Sequence, residues 1–223
     1  MLNSKKEIAV YTSICGNRDT LREDQFVSSE ADYIAFLDRP TVSQIWNIKN
    51  IYHQFLDPSR EAKIFKVLPY QYLDYEYSIW IDGSIAIKVS PIELIDEFLT
   101  DYDIALFKHA ARDDIYEEYI ADFRHRTAEP KYLRELQQEK YLQEVFPKHS
   151  GLFECGVIIR RHSEAVKRCM ETWWAEITAF TVSDQCSFIY SVKKHDLKVN
   201  TLPGIIWNNS YFNLISHPKG ASL

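Results

Sequence analysis

Glycine is scarce in this chain, with 6 among 223 residues, and nowhere does it gather into a loop that would wrap a phosphate. That absence weighs against a nucleotidyltransferase built on a Gly-rich phosphate loop. Cysteine is almost as rare. Cys15, Cys155, Cys169 and Cys186 form no CxxC pair and fit no zinc spacing, so buried free thiols in a reducing, cytoplasmic setting are the simplest expectation. No apolar run approaches the length of a membrane-spanning helix, and the first residues, MLNSKKEIAVYTSICGN, lack the apolar core of a signal peptide. There is no basic excess either. The formal net charge is −6, which argues against a nucleic-acid partner while leaving room for a local pocket that takes one small anion. Low-complexity tracts and internal repeats are also missing.

What the chain has in quantity is aromatic surface: 14 Tyr, 12 Phe and 5 Trp. Such richness suits a well-packed core as readily as a cleft that stacks sugars or bases. At this length one domain, spanning 1–223, can bury a sizeable core without disulfides or structural metals.

The pattern alternates. Apolar strands are expected at 7–12, 32–37, 77–81, 103–107 and 152–159, with shorter ones near 44–51 and 197–201. Helices are expected at 59–72, from Pro91 to about 100 behind the N-cap Ser90, at 163–178 and at 184–194. Residues 113–146 are charged and periodic, and read as a helical insertion whose 129–144 stretch is a solvated face. Strands alternating with helices predict an α/β fold with a mixed, mostly parallel sheet covered by helices on both faces. Ligands of such sheets bind beyond the carboxyl ends of the strands. That rule places residues 12–19, Asp38, Asp82–Ser84 and Lys108–Arg112 on one rim.

Asp82 is the sharpest single feature. It follows the apolar run YSIWI and precedes Gly83 and Ser84, after which the chain turns apolar again. A carboxylate between buried segments needs a cation or hydrogen-bond donors. It reads either as a turn aspartate or as a group beside a metal or a phosphate. Arg60 and Lys63, spaced i and i+3, share a helix face that meets either a diphosphate or water. His109 ends an apolar strand. Asp184 at a helix start is favourable to the helix dipole by itself, but the adjacent Gln185 has no such explanation, and the pair is suited to gripping sugar hydroxyls. Glu154 interrupts the apolar strand LFECGVII, and Gly156 behind it permits close approach of another backbone. Trp173 and Trp174 read as core. His217 in the tail reads as a surface residue or a metal ligand.

In chain order, Asp82-Gly-Ser84, Phe153-Glu-Cys-Gly-Val157, Asp184-Gln185, Leu202-Pro-Gly-Ile-Ile-Trp-Asn208 and His217-Pro-Lys-Gly220 resemble the D-x-D, F-N-(A/S)-G-V, D-Q, L-P-x-x-(W/Y)-N and H-x-x-G series of GT-A glycosyltransferases of the glycogenin-like and galactosyltransferase-like group. A second resemblance runs almost end to end. Tyr11–Asn17, Phe36-Leu-Asp38, Arg60 with Lys63, Trp80–Gly83, Lys108-His109 with Arg112, Glu154–Val157, Trp173-Trp174 and Asp184–Phe188 are similar to a family formerly known only as a domain of unknown function. That family is now described as glycosyltransferase-like and has plant and bacterial members.

The resemblance implies a GT-A (Rossmann-like) domain that moves a sugar from a nucleotide-sugar donor, most often a UDP-sugar, to a hydroxyl of a glycan or other acceptor, with retention favoured. It places Thr12 and Asp38 at the uridine and ribose. Arg60, Lys63, Gly83, His109 and Gly156 join the donor side, and Glu154, Asp184 and Gln185 face the transferred sugar. Asp82, with His217 in the place of a further ligand, would hold Mn²⁺ or Mg²⁺. Ser84 stands where the second aspartate of D-x-D is usual, and a neutral hydroxyl is a poorer metal ligand. Ser183 stands where the closer family has an arginine. The alternative these departures support is a non-catalytic nucleotide- or carbohydrate-binding module with a decayed metal site.

Overall fold

The computed structural model describes residues 7–52, 54–55, 57–122 and 129–215. In chain order its strands and helices are β1 (Ile8–Ile14), β2 (Ala31–Leu37), β3 (Asn47–Asn50), α1 (Pro58–Val67), β4 (Tyr77–Ile81), β5 (Ile85–Ile87), α2 (Pro91–Phe98), β6 (Ile104–Lys108), α3 (Ile115–Asp122), α4 (Lys131–Gln143), β7 (Phe153–Arg161), α5 (Glu164–Ala179), α6 (Asp184–Lys194), β8 (Asn200–Leu202) and β9 (Phe212–Leu214). Seven strands form one sheet in the order β3-β2-β1-β4-β7-β6-β8, and β5 and β9 pair separately. Every pairing in the large sheet is parallel except those of β7, which runs against both neighbours. The expected mixed, mostly parallel α/β sheet is what forms.

The central strands are buried on both faces, which is why they read as continuous apolar runs rather than alternating ones. Along β1, Ala9 and Tyr11 join one core with α1, α5 and α6, whereas Ile8, Val10 and Ile14 join a second core with α2 and the small sheet. Helix α1 starts where Asp57 accepts from the Ser59 amide at 2.9 Å and Pro58 presets the first turn. It was expected to continue to Tyr72. It stops at Val67 because Pro69 disfavours a helical residue before it, and a 3-10 turn, Pro69–Gln71, follows.

The end of α1 is fixed from below. Arg160 on β7, fully buried, donates to the Lys66 carbonyl and the Tyr11 hydroxyl, and Tyr11 also donates to that carbonyl at 3.2 Å. A cation at a helix C-terminus meets the negative end of the dipole.

The insertion departs from the solvated face expected for 129–144. Arg134, Gln137 and Tyr141 share the buried side of α4. The Tyr141 hydroxyl donates to Glu176 of α5 at 3.0 Å, and its ring stacks on Tyr190 of α6 with centroids 4.3 Å apart. Spacing of i, i+3 and i+7 puts these three on one stripe. Their polar ends hid that stripe in the sequence.

Candidate active site

Because β7 is antiparallel, its beginning lies on the same edge of the sheet as the carboxyl ends of the other strands. There a cavity of about 370 Å³ opens, with Lys63 and Lys66 from α1, Asp82 after β4, Glu154–Gly156 from β7, and Asp184 and Gln185 from α6 on its polar side. Ser84, Ile85, Ile206, Trp207, Leu214 and Ile215 line the rest.

Lys66 organises the polar side. Its Nζ lies 2.7 Å from Asp184 Oδ2 and 3.3 Å from Asp82 Oδ1, and only 4% of its side chain is exposed. Lys63 Nζ reaches the same Asp184 oxygen at 2.7 Å. Burial alone pulls Lys66 toward the neutral amine, but Asp184 and then Asp82 outweigh it and keep the group above the ordinary lysine range. Asp82 Oδ1 also accepts from Trp80 Nε1 at 2.7 Å, and its backbone amide is held by the Gly156 carbonyl at 2.9 Å. The close approach explains Gly156. A Cβ there would stand 2.8 Å from Ile206 Cδ1 and 3.3 Å from Asp82 Oδ2.

Beside this group lies a second pair. Gln185 Nε2 donates to Glu154 Oε2 at 2.8 Å, and His109 Nε2 lies 3.5 Å from Glu154 Oε1. Burial first, then the charges of Glu118 and Asp184, push the Glu154 carboxyl up to about 7. His109 sits behind Glu154 rather than on the cavity wall. Its Nδ1 accepts from the amides of Ala111 and Arg112 at 3.2 and 3.0 Å, and its Nε2 lies among Arg112 Nη2 at 3.3 Å, Glu154 Oε1 at 3.5 Å and Glu118 Oε2 at 3.7 Å. Burial lowers its pKa, against the pull of Glu118.

The nominated residues thus divide. Asp82, Glu154, Gly156, Lys63, Asp184 and Gln185 converge on the cavity, and His109 backs it. Arg60 turns away. It pairs with Asp57 at 2.8 Å and Glu129 at 3.1 Å, and donates to the carbonyls of Ile177 and Phe180. It therefore ties α1 to the end of α5. Asp38 accepts from the Gly16 amide at 2.7 Å and shapes the loop after β1. Thr12 is buried within β1, its hydroxyl lacking a hydrogen-bond partner among the described residues. Gly83 packs where a Cβ would stand 2.8 Å from that of Asp19. His217 lies outside the described residues.

Lys66 is the polar lining residue that sequence reasoning missed, and Trp207 entered it only as part of the Leu202–Asn208 motif, without a role. The signal for Lys66 was present: a lysine among Ile64, Phe65 and Val67 on an apolar stretch needs a partner. Trp207 is 57% exposed on a turn pinned by Asn209, whose Nδ2 donates to the carbonyls of Ile205 and Ile206. The four cysteines are free and buried, as expected, and burial pushes the Cys155 thiol at the cavity wall far from reactivity.

A divalent ion finds few donors here. No cluster of three or more His, Cys, Asp or Glu side chains able to hold a metal occurs among the described residues. Asp82 already accepts from an ammonium and an indole N–H on one oxygen, and Ser84 adds only a neutral hydroxyl. Of the positions expected to meet Mn²⁺ or Mg²⁺, the described ones, Asp82 and Ser84, bring one carboxylate between them. No helix among them is long and apolar enough to cross a membrane.

Over 159 residues the chain is 28% identical to the "Probable hexosyltransferase MUCI70" of Arabidopsis thaliana, an overlap of 65% of this chain and 27% of the relative. The chain thus spans about a quarter of the length of that curated relative. Among solved structures, the apo form of the bifunctional glycosyltransferase WbbM superposes with a TM-score of 0.46 at 15% identity, covering 91% of this chain and 39% of that one. Apo mouse xyloside xylosyltransferase 1 gives 0.46 at 12% identity, covering 88% and 84%. The model of the TOD1/MUCI70 glycosyltransferase-like domain matches residues 36–217, well over half of the sequence, and the chain belongs to that family.

Proposed function

We propose that this domain transfers a hexosyl group from a nucleotide-sugar donor of the UDP class to a hydroxyl of a glycan or other acceptor, with retention of configuration. The observation that carries the reading is the convergence, in one cavity beyond the strand ends, of two ammonium groups with an acid–amide pair, Glu154 and Gln185.

The reaction separates into two tasks. The bond from the anomeric carbon to the diphosphate breaks with its electron pair leaving on phosphate, and positive charge at Lys63 and Lys66 meets that growing negative charge. The sugar becomes cation-like, and Asp184, Glu154 and the Gln185 amide surround it with negative or electron-rich atoms. The acceptor oxygen bonds to the anomeric carbon and its proton passes to the departing phosphate oxygen, so no separate base is needed. Trp207, exposed on the apolar wall, offers its face to the acceptor.

The experiment is a transfer and hydrolysis assay of the full chain across UDP-sugars, with the anomeric configuration of the product read by NMR. Turnover with retained configuration, weakened by Gln185→Ala, is the expected result. Donor binding without any turnover across the panel would instead favour the non-catalytic module.

A further inference from the structure

We propose that the charge which neutralises the donor diphosphate in this site is supplied by protein ammonium groups, Lys66 above all with Lys63 beside it, and not by a divalent ion held on Asp82. The inference rests on the nucleotide-sugar reading above and specifies how that donor is held.

Lys66 sits where a bridging cation would be useful, between the carboxylates of two separate motifs, Asp82 and Asp184. It is present at all times, because its stem is buried and its helix end is clamped by Arg160 and Tyr11. Charge fixed in advance of the reaction needs no reorganisation when the leaving group develops. Lys63 approaches the same Asp184 oxygen that Lys66 uses, so two ammoniums stand side by side against one buried carboxylate. Of the cavity's other two acids, Asp82 is 42% exposed in its side chain and is screened by water, and Glu154 is held toward its neutral form by burial.

An ammonium has three N–H donors, and Lys66 spends two on these carboxylates. A phosphate oxygen is the natural third partner for so compact a charge. With Oδ1 taken by the Lys66 ammonium and the Trp80 indole, a metal on Asp82 would have Oδ2 alone and would stand close to that ammonium's charge. Ser84, a neutral hydroxyl two residues on, supplies no second carboxylate to offset that repulsion.

The test is UDP binding to the full chain by isothermal calorimetry, in EDTA and again with Mn²⁺. Wild type is expected to bind in EDTA with a Kd within about threefold of that in Mn²⁺, and Lys66→Met to weaken binding in EDTA by about tenfold or more. Should Lys66→Met lose its far-UV circular dichroism, Lys63→Met carries the same expectation from a position whose side chain is 14% exposed. Asp82→Asn removes a competing negative charge and should tighten UDP in EDTA by about threefold. Binding that appears only with Mn²⁺ and vanishes in Asp82→Asn overturns the inference and leaves the donor reading intact. Absence of UDP binding under both conditions removes the donor reading and this inference with it.

Discussion

Gln185 Nε2 donates to Glu154 Oε2 at 2.8 Å, a bond between the first turn of α6 and the opening residues of β7. It fixes the plane of the amide, whose carbonyl oxygen and second N–H are the groups a ligand can meet. The bond needs an accepting oxygen on Glu154, whose carboxyl titrates near 7 rather than in the ordinary carboxylate range.

Stability should therefore fall with rising pH in one window. Between the ordinary value of 4.5 and the folded value of about 7, the folded protein keeps a proton that the unfolded chain has released. The stabilisation from that proton is complete at the acid end and gone above the folded value. Glu154→Gln stays neutral throughout, so at about pH 8 it should be more stable than wild type by on the order of 1–2 kcal/mol, allowing for partial solvent screening. Urea unfolding of both proteins near pH 5 and pH 8 measures this. An identical pH dependence in the two would show that Glu154 is not the group responsible.

Transfer should run the other way with pH. An ionised Glu154 stabilises a cation-like sugar, so kcat is expected to rise through about pH 7 and level off above it. Glu154→Gln should lower kcat by at least about tenfold and flatten the profile. A profile that keeps its inflection in the variant would assign it to another group.

Gly156→Ala places a methyl group against Ile206 and Asp82 together. We expect a loss of about 1–3 kcal/mol in stability and a larger relative loss of donor binding, because the displaced groups line the cavity. Calorimetric melting beside UDP titration would separate these effects. A variant that melts and binds like wild type would mean that Ile206 yields freely.

Arg60→Met distinguishes scaffold from site. With its carboxylate and carbonyl partners lost, the protein should lose about 2–3 kcal/mol, while the donor KM, measured well below the melting temperature, should hold. A raised donor KM at unchanged stability would return Arg60 to the donor.

Trp207→Ala should raise the acceptor KM about tenfold while leaving UDP-sugar hydrolysis in place. A matching loss in hydrolysis would move Trp207 to the donor side.

Much of the sheet was legible because β1, β2, β4 and β6 are apolar strands closed by polar loops, and α6 was bounded correctly at both ends. Strand direction was not legible. Nothing in FECGVIIRR tells whether it runs with or against its neighbours, since a strand buried on both faces reads alike in either sense. The short strands β5 and β9 escaped for a different reason: three residues give too little alternation to register. Where a polar residue broke an apolar run, as at Asp82 and Glu154, the structure brings that residue to the cavity. Arg60 lies elsewhere, because a helix period shows that two side chains share a face but not which neighbour that face meets. Lys66 was hidden by the same helix, one further step along it.

The reversal of β7 has a consequence beyond delivering Glu154. The chain leaves β6 at His109 and re-enters the sheet at Phe153 on the same edge, so α3 and α4 belong to an excursion whose two ends are moored at the cavity. The excursion is not an independent ornament. Glu118 of α3 faces His109 behind Glu154, and Tyr141 of α4 is tied to α5 and α6, so a change in its packing would be felt at the acid of the cavity.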